Sequence, residues 1–328
     1  EKIVICITVP GSMFWAAAQI RAFGQVLDSV SGMGVAAGML IGALVAITYT
    51  MSGGLRADVV TDLIQGIVII GGLLVLVWVV GSHTGGLLPA LAEVPRERLN
   101  PFGGSGSWLE QIETWAVPIC GSVAAQELVS RALACRSPQV AQRSALMGGG
   151  LYLAVGLLPV MLGLIGLRLM PGLEDTEQFL PLLAREHLPA LLYIVFAGAL
   201  VSAILSTIDS SLLAGAAMIS HNLILPHRPD LDDRQRLRIN RLAVAGCGLV
   251  ALLLAWSSES IRGLVETASA MGGGGLFVLF AAGQLSSVGG RASAYAALAA
   301  SVLTWAGMTW VVESSWPYTG SLLAAGVT

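Results

Sequence analysis

From Leu188 to about Ile219 the chain carries a single charge, Asp209, inside an apolar run long enough to cross a hydrocarbon core. Uncharged stretches of about 20 residues recur along the 328 residues, each separated from the next by charged or Gly/Pro-rich punctuation. Within lipid every backbone N–H and C=O must find an internal partner, so runs of this kind fold as helices. Charged residues make up 11% of the chain and hydrophobic residues 55%. Mean hydropathy is +0.79, and soluble domains carry roughly 25% charge. The fold class expected is therefore all-α and integral to the membrane. A net charge of -3 is uninformative beside the distribution of charge. No basic patch with interleaved aromatics points to nucleic acid.

The apolar runs predict about nine spans, at roughly 3–28, 34–51, 58–81, 109–133, 144–169, 189–221, 240–257, 263–284 and 292–312. The loops around Arg56, Arg136–Arg143, Arg228–Arg241 and Arg291 hold about ten basic residues, and the opposite loops about five (Arg96, Arg98, Arg168, Arg185, Arg262). The richer set belongs in the cytoplasm. Trp78, Trp108, Trp115, Trp256, Trp310 and Trp316 then fall near the outer interface, as an aromatic belt does. Outside, His83–Ser107 is rich in Gly and Pro, and Glu174–His187 carries an apolar pattern for a short surface helix. Inside, Pro226–Arg238 reads as a solvated segment. The chain opens on Glu1-Lys2 and closes in Ser321–Thr328, which reads as the start of another span, so a piece of a longer protein is expected.

Asp209 sits within Ala203-Ile204-Leu205-Ser206-Thr207-Ile208-Asp209-Ser210-Ser211. On a helix Ala203, Ser206, Thr207 and Ser210 share one face, with Asp209 beside Ser206. Hydroxyls there either bond back to their own helix and join neighbours, or offer hard oxygens to an alkali cation. A carboxylate at bilayer depth is expensive and marks an ion path by default. Two spans carry breaks: Pro118 and Gly121 in the fourth, and Met271-Gly272-Gly273-Gly274-Gly275 in the eighth. Discontinuous helices near the midplane are where secondary transporters bind solutes and ions. Gly34, Gly38 and Gly42 recur every fourth residue and predict close helix packing. Glu127 and Arg131, four apart, suit a structural or gating ion pair. The four cysteines show no disulfide framework and the four histidines no metal spacing. No nucleophile–base pair or phosphate loop appears, so no enzyme is expected.

Tyr49-Thr50-Met51-Ser52-Gly53-Gly54-Leu55-Arg56-Ala57, followed by Thr61-Asp62-Leu63-Ile64-Gln65, resembles the sodium:solute symporter family, whose members carry proline, sugars, sialic acid and other small solutes. Ala16-Ala17-Ala18-Gln19 with Gly24-Gln25 is similar to the family's helix before that turn. Gln126-Glu127 with Arg131 and Ala134-Cys135-Arg136-Ser137 is similar to the inner end of its broken helix, and Ser206-Thr207 with Asp209-Ser210 to its sodium-binding helix. These matches run in order over about residues 15–220, whereas the C-terminal third matches in hydropathy alone.

The resemblance implies a LeuT-type inverted repeat of five plus five helices in one transmembrane transporter domain over 1–328. Residues 1–81 would finish the first repeat, 108–284 would form the second, and 292–312 would be an accessory helix. It implies a first sodium site at Ala203, Ser206 and Thr207, opposite a first core helix that this chain lacks. It implies a second at Asp62, Ser206, Asp209 and Ser210, where Asp209 replaces the family's serine and leaves sodium stoichiometry open. Gln19, Ser122, Gln126 and Thr267 lie on helices that surround the family's solute site and are its candidate cavity liners. The function implied is sodium-coupled symport of a small organic solute across the cytoplasmic membrane by alternating access. The partners are the solute, Na+ as coupling ion and the lipid bilayer. The alternatives are a transporter-like sensory module of a histidine kinase and a proton-coupled carrier using Asp62 and Asp209.

Overall fold

A computed structural model describes residues 2–52, 55–101, 106–123, 126–173, 175–228, 230–285 and 289–328, without the side chains of 2, 3, 55–61, 126, 127, 130, 167 and 168. Its regular elements are helices: α1 (Lys2–Ser31), α2 (Val35–Ser52), α3 (Leu55–His83), α4 (Leu87–Ala92), α5 (Arg96–Leu99), α6 (Trp108–Val123), α7 (Gln126–Leu133) and α8 (Pro138–Leu169). They continue as α9 (Phe179–His187), α10 (Ala190–Ala217), α11 (Asp233–Ser257), α12 (Ile261–Ala270), α13 (Gly273–Leu285), α14 (Arg291–Trp310) and α15 (Pro317–Val327).

Local chemistry explains where helices start earlier than the hydropathy pattern does. Ser137 accepts the Val140 N–H and Pro138 opens α8, six residues ahead of the expected 144. Asp232 and Gln235 form a capping box, so α11 begins inside the charged, solvated segment, ahead of the expected 240. At its end α10 passes into a π-helical turn, Met218–Ile224. The fourth expected span holds α6 and α7, which flank positions 124–125 outside the described residues; α6 stays helical through Pro118 and Gly121, where a break was expected. The eighth is two helices, α12 and α13, bent by 41° where Gly272 adopts φ +73°.

Among the described residues, six helices are long and apolar enough to span a membrane, and the bent α12–α13 pair makes a seventh. The count of about nine included two others. One holds α6 and α7 on either side of positions 124–125, which lie outside the described residues, and the other, α14, is diluted by several hydroxyl and aromatic residues.

Three apolar cores hold the bundle. The largest joins α1, α2, α10, α11 and α12 through Ala16, Ile20, Met39, Ile208, Leu212 and Val244. A second joins α3, α8, α9 and α10 through Leu76, Leu162, Leu183 and Phe196. A third packs α6 and α12 against α14 and α15 around Trp305 and Tyr318. The α1–α2 contact is backbone on backbone: a Cβ on Gly38 would lie 2.8 Å from the Gly24 Cα. Gly42 meets the Phe23 ring, whereas Gly34 lies outside the helix, at φ +88° in a turn whose N–H donates to Asp28. A Cβ on Gly121 would meet the Ser269 carbonyl at 2.6 Å, so α6 and α12 touch there, just ahead of the bend at Gly272.

Candidate functional site: an oxygen-lined seam between α3 and α10

The α10 helix carries one hydroxyl or carboxyl group after another along a span that is otherwise apolar. Ser206 and Asp209 are buried, as is Ser211, while Ala203, Thr207 and Ser210 are half-buried. The Thr207 hydroxyl donates to the Ala203 carbonyl at 3.0 Å, and Ser211 donates to the Thr207 carbonyl at 2.9 Å. Back-bonding of this kind satisfies a hydroxyl inside a helix. It also sets the Ala203 carbonyl and the Thr207 hydroxyl side by side, two hard oxygens on one point of the helix surface. Their character suits an alkali cation.

The antiparallel helix α3 faces this surface. Ser206 donates its hydroxyl to Asp62 Oδ1, and about one turn along Gln65 Nε2 donates to Ser202 Oγ at 2.6 Å. Asp62 lies seven residues past the start of α3 at Leu55. That is about two turns, too deep for the first-turn dipole to explain an acid there. Its second oxygen accepts from Arg131 Nη2 of α7 at 3.4 Å, with the two side chains 31% and 67% exposed. The structure thus joins Asp62, Ser206 and Arg131 and places Asp209 and Ser210 on the next turn of α10. The Glu127 side chain, expected opposite Arg131, lies outside the described residues; the cross-helix partner of Arg131 is Asp62.

The four candidate cavity residues are dispersed. Thr267 lines a cavity of about 790 Å3 between α6, α12 and α14, walled by Glu113, Val117, Glu266, Trp305 and Thr309. Its hydroxyl donates to the Gly263 carbonyl at 2.8 Å. Ser122 is exposed and donates to the Pro118 carbonyl of its own helix. Gln19 is half-buried on α1, and the Gln126 side chain lies outside the described residues.

A second polar network, at the end assigned to the outside, escaped the sequence reading. Glu177 accepts from Arg21 Nε at 3.3 Å, from Gln25 Nε2 at 3.0 Å and from the Ile261 N–H. Gln25 also donates to Asp175 at 2.8 Å, and Gln178 Nε2 bridges Gln25 and Asp28. Together they fasten the segment 175–187 to α1 and to the first turn of α12. The signal available in sequence was Arg21, a charge inside an apolar run. Nearby, the Glu113 carboxylate accepts the Tyr318 and Thr319 N–H groups at 2.7 and 2.6 Å, capping α15.

Comparison with known proteins gives this geometry a setting. The chain is 26% identical over 275 residues to a high-affinity choline transporter of Caenorhabditis elegans, covering 77% of this chain and 47% of that one. It is 28% identical over 230 residues to the sodium/pantothenate symporter of Haemophilus influenzae, covering 68% and 48%. To the high-affinity proline transporter of Bacillus subtilis it is 29% identical over 265 residues, covering 78% and 55%. The chain thus spans about half the length of the curated relatives it matches. The solved structure of a Na+-coupled sialic acid symporter superposes with a TM-score of 0.77 at 17% identity, covering 98% of this chain and 72% of that one. The shared fold is LeuT-type. The profile of the sodium:solute symporter family matches residues 3–303, and the chain belongs to that family.

Proposed function

We propose that this chain is the part of a sodium-coupled symporter that carries the cation-binding side of α10, and that the whole protein moves a small organic solute across the cytoplasmic membrane. The observation that carries the reading is the run of buried and half-buried oxygens on α10, with Ser206 bonded to Asp62 across the α3–α10 seam. Ala203, Ser206 and Thr207 contribute a carbonyl and two hydroxyls to one sodium. Asp62, Ser206, Asp209 and Ser210 contribute two carboxylates and two hydroxyls to a second. Residues 1–81 close the first repeat, 108–284 form the second and 292–312 add an accessory helix. Because α3 ends the first repeat and α10 lies within the second, a cation in the seam ties the two repeats together. Solute binding in the same arrangement then reinforces cation binding, and the reverse holds. The relatives handle solutes as different as choline, pantothenate and proline, so the solute is placed no more narrowly than a small organic molecule. The cavity lined by Thr267 is its approach from outside.

The test is thermal stability of the purified full-length protein against sodium, with potassium matching ionic strength. Saturable stabilisation by sodium that Thr207→Ala removes supports the reading. Equal stabilisation by both salts, or a sodium response untouched by Thr207→Ala, defeats it.

A further inference from the structure

We propose that Arg131 is a tethered cation that competes with the coupling sodium for Asp62, so that sodium entry is exchanged against release of α7 from the seam. The inference rests on the sodium reading of the α3–α10 seam given above.

Both oxygens of Asp62 are engaged, Oδ1 by the Ser206 hydroxyl and Oδ2 by the Arg131 guanidinium at 3.4 Å. A guanidinium holds its charge at every accessible pH and has donors but no acceptor. It therefore acts on the carboxylate as a metal cation does, and it cannot serve as a ligand to one. A sodium ion bound to Asp62 and Ser206 would lie beside that guanidinium, and two like charges at this range repel. The carboxylate balances one of them.

The contact has the geometry of an exchangeable partner. It is a single long contact, without the paired N–H···O bonds of a locked arginine–carboxylate fork. The Arg131 side chain is 67% exposed, so displacing the guanidinium gives up little packing against the rest of the chain. The element that moves with it is α7, Gln126–Leu133, which packs against α8 and α10. With sodium absent, the protein's own cation neutralises Asp62 and holds α7 against the seam. With sodium bound, Arg131 is released and α7 loses that tether. By linkage, sodium occupancy and α7 docking then oppose each other by the same factor in both directions. Arg131 is thus a positioning residue for the inner gate and sets the sodium affinity of the second site.

The experiment is a sodium titration of the full-length protein, read as thermal stabilisation, for wild type, Arg131→Gln and Arg131→Lys, each also combined with Asp62→Asn. The quantity compared is the midpoint of the sodium response that Asp62→Asn removes. Arg131→Gln is expected to lower that midpoint at least about fivefold, the lower end of ordinary coupling between sites. Arg131→Lys keeps the charge and is expected to stay near wild type. In the Asp62→Asn background, Arg131→Gln is expected to change nothing. A midpoint unchanged or raised by Arg131→Gln, an equal shift with Asp62→Asn present, or no sodium response dependent on Asp62 overturns the competition. If wild type responds to sodium and one of these results appears, the competition fails and the symporter reading stands. If wild type shows no sodium-specific response, both fail together.

Discussion

Arg21 on α1 and Glu177 in the strap before α9 meet at 3.3 Å, with side chains only 16% and 17% exposed. The remaining guanidinium nitrogens donate to the Ser258 and Glu259 carbonyls at 2.8 and 2.7 Å, and the carboxylate accepts the Ile261 N–H at the start of α12. One ion pair therefore fastens three chain segments, and the carboxylate also meets the positive end of the α12 dipole. Glu177→Ala strips the charge partner from a nearly buried arginine. Arg21 keeps its two carbonyl acceptors, so the expected loss is about 2 kcal/mol rather than the larger cost of a stranded charge. A melting temperature several degrees lower in the purified full-length protein checks this. A variant as stable as wild type would show that the strap is held elsewhere.

The glycines of the bundle separate by what surrounds them. At Gly38 a methyl group would sit 2.8 Å from the Gly24 Cα and 3.0 Å from its carbonyl, so α1 and α2 must part to admit it. Gly38→Ala is expected to cost about 1–3 kcal/mol, as overpacking does. At Gly246, on the exposed side of α11, a Cβ meets nothing within 4 Å. Gly246→Ala should gain about 0.5–1 kcal/mol from the helix backbone alone. Opposite signs in the two melting temperatures are the expected result; a shared sign removes the close-approach explanation.

Much of this fold is legible along the chain because bilayer depth imposes length and apolarity on each helix. The bend at Met271-Gly272 is visible for the same reason, since few residues interrupt a span without a purpose, whereas Pro118 and Gly121, which suggested a second break, lie within the continuous helix α6. The meaning of Gly34 is not visible: a four-residue spacing cannot distinguish a helix face from the turn just before it. The partner of Arg131 is hidden too. Spacing within one helix suggests Glu127, whereas the contact with Asp62 depends on how α7 docks against α3. The strap network around Glu177 has no sequence period at all, because it joins a loop to two helices far apart in the chain. Asp62 and Ser206 lie 144 positions apart, and a motif resemblance pointed to them where periodicity alone could not.

The two carboxylates of the proposed second site make separable predictions about stoichiometry. Asp62 is bonded to Ser206 across the seam, and Asp209 is buried three residues further along α10. Asp62→Asn is expected to reduce the number of sodium ions moved with each solute by one, read from the reversal potential of the full-length protein in proteoliposomes. Asp209→Ser restores a hydroxyl where the resemblance expects one. It should keep sodium coupling with a raised half-saturating concentration, because one charge is lost and the oxygens remain. Coupling abolished by Asp209→Ser but intact in Asp62→Asn would reverse the roles given to the two acids.

Gln65 offers a test of whether the seam itself, apart from its ligands, sets cation affinity. Its amide donates to Ser202 at 2.6 Å, about one turn from the Asp62–Ser206 contact on both helices. It touches none of the proposed sodium ligands, so its effect on sodium can act only through the register of α3 against α10. Interhelical hydrogen bonds within a membrane contribute about 0.6 kcal/mol on average and rarely more than about 1.7. Gln65→Leu keeps the volume and removes the bond, so a small fall in melting temperature is expected. If the register matters, the sodium midpoint rises by about threefold, with the steepness of the titration unchanged because no ligand is lost. Ser202→Ala should give the same shift, and the double variant no more than either alone, since one bond is broken in all three. Additive shifts would mean that the two residues act on sodium independently, and that Asp62 meets Ser206 without help from their bond.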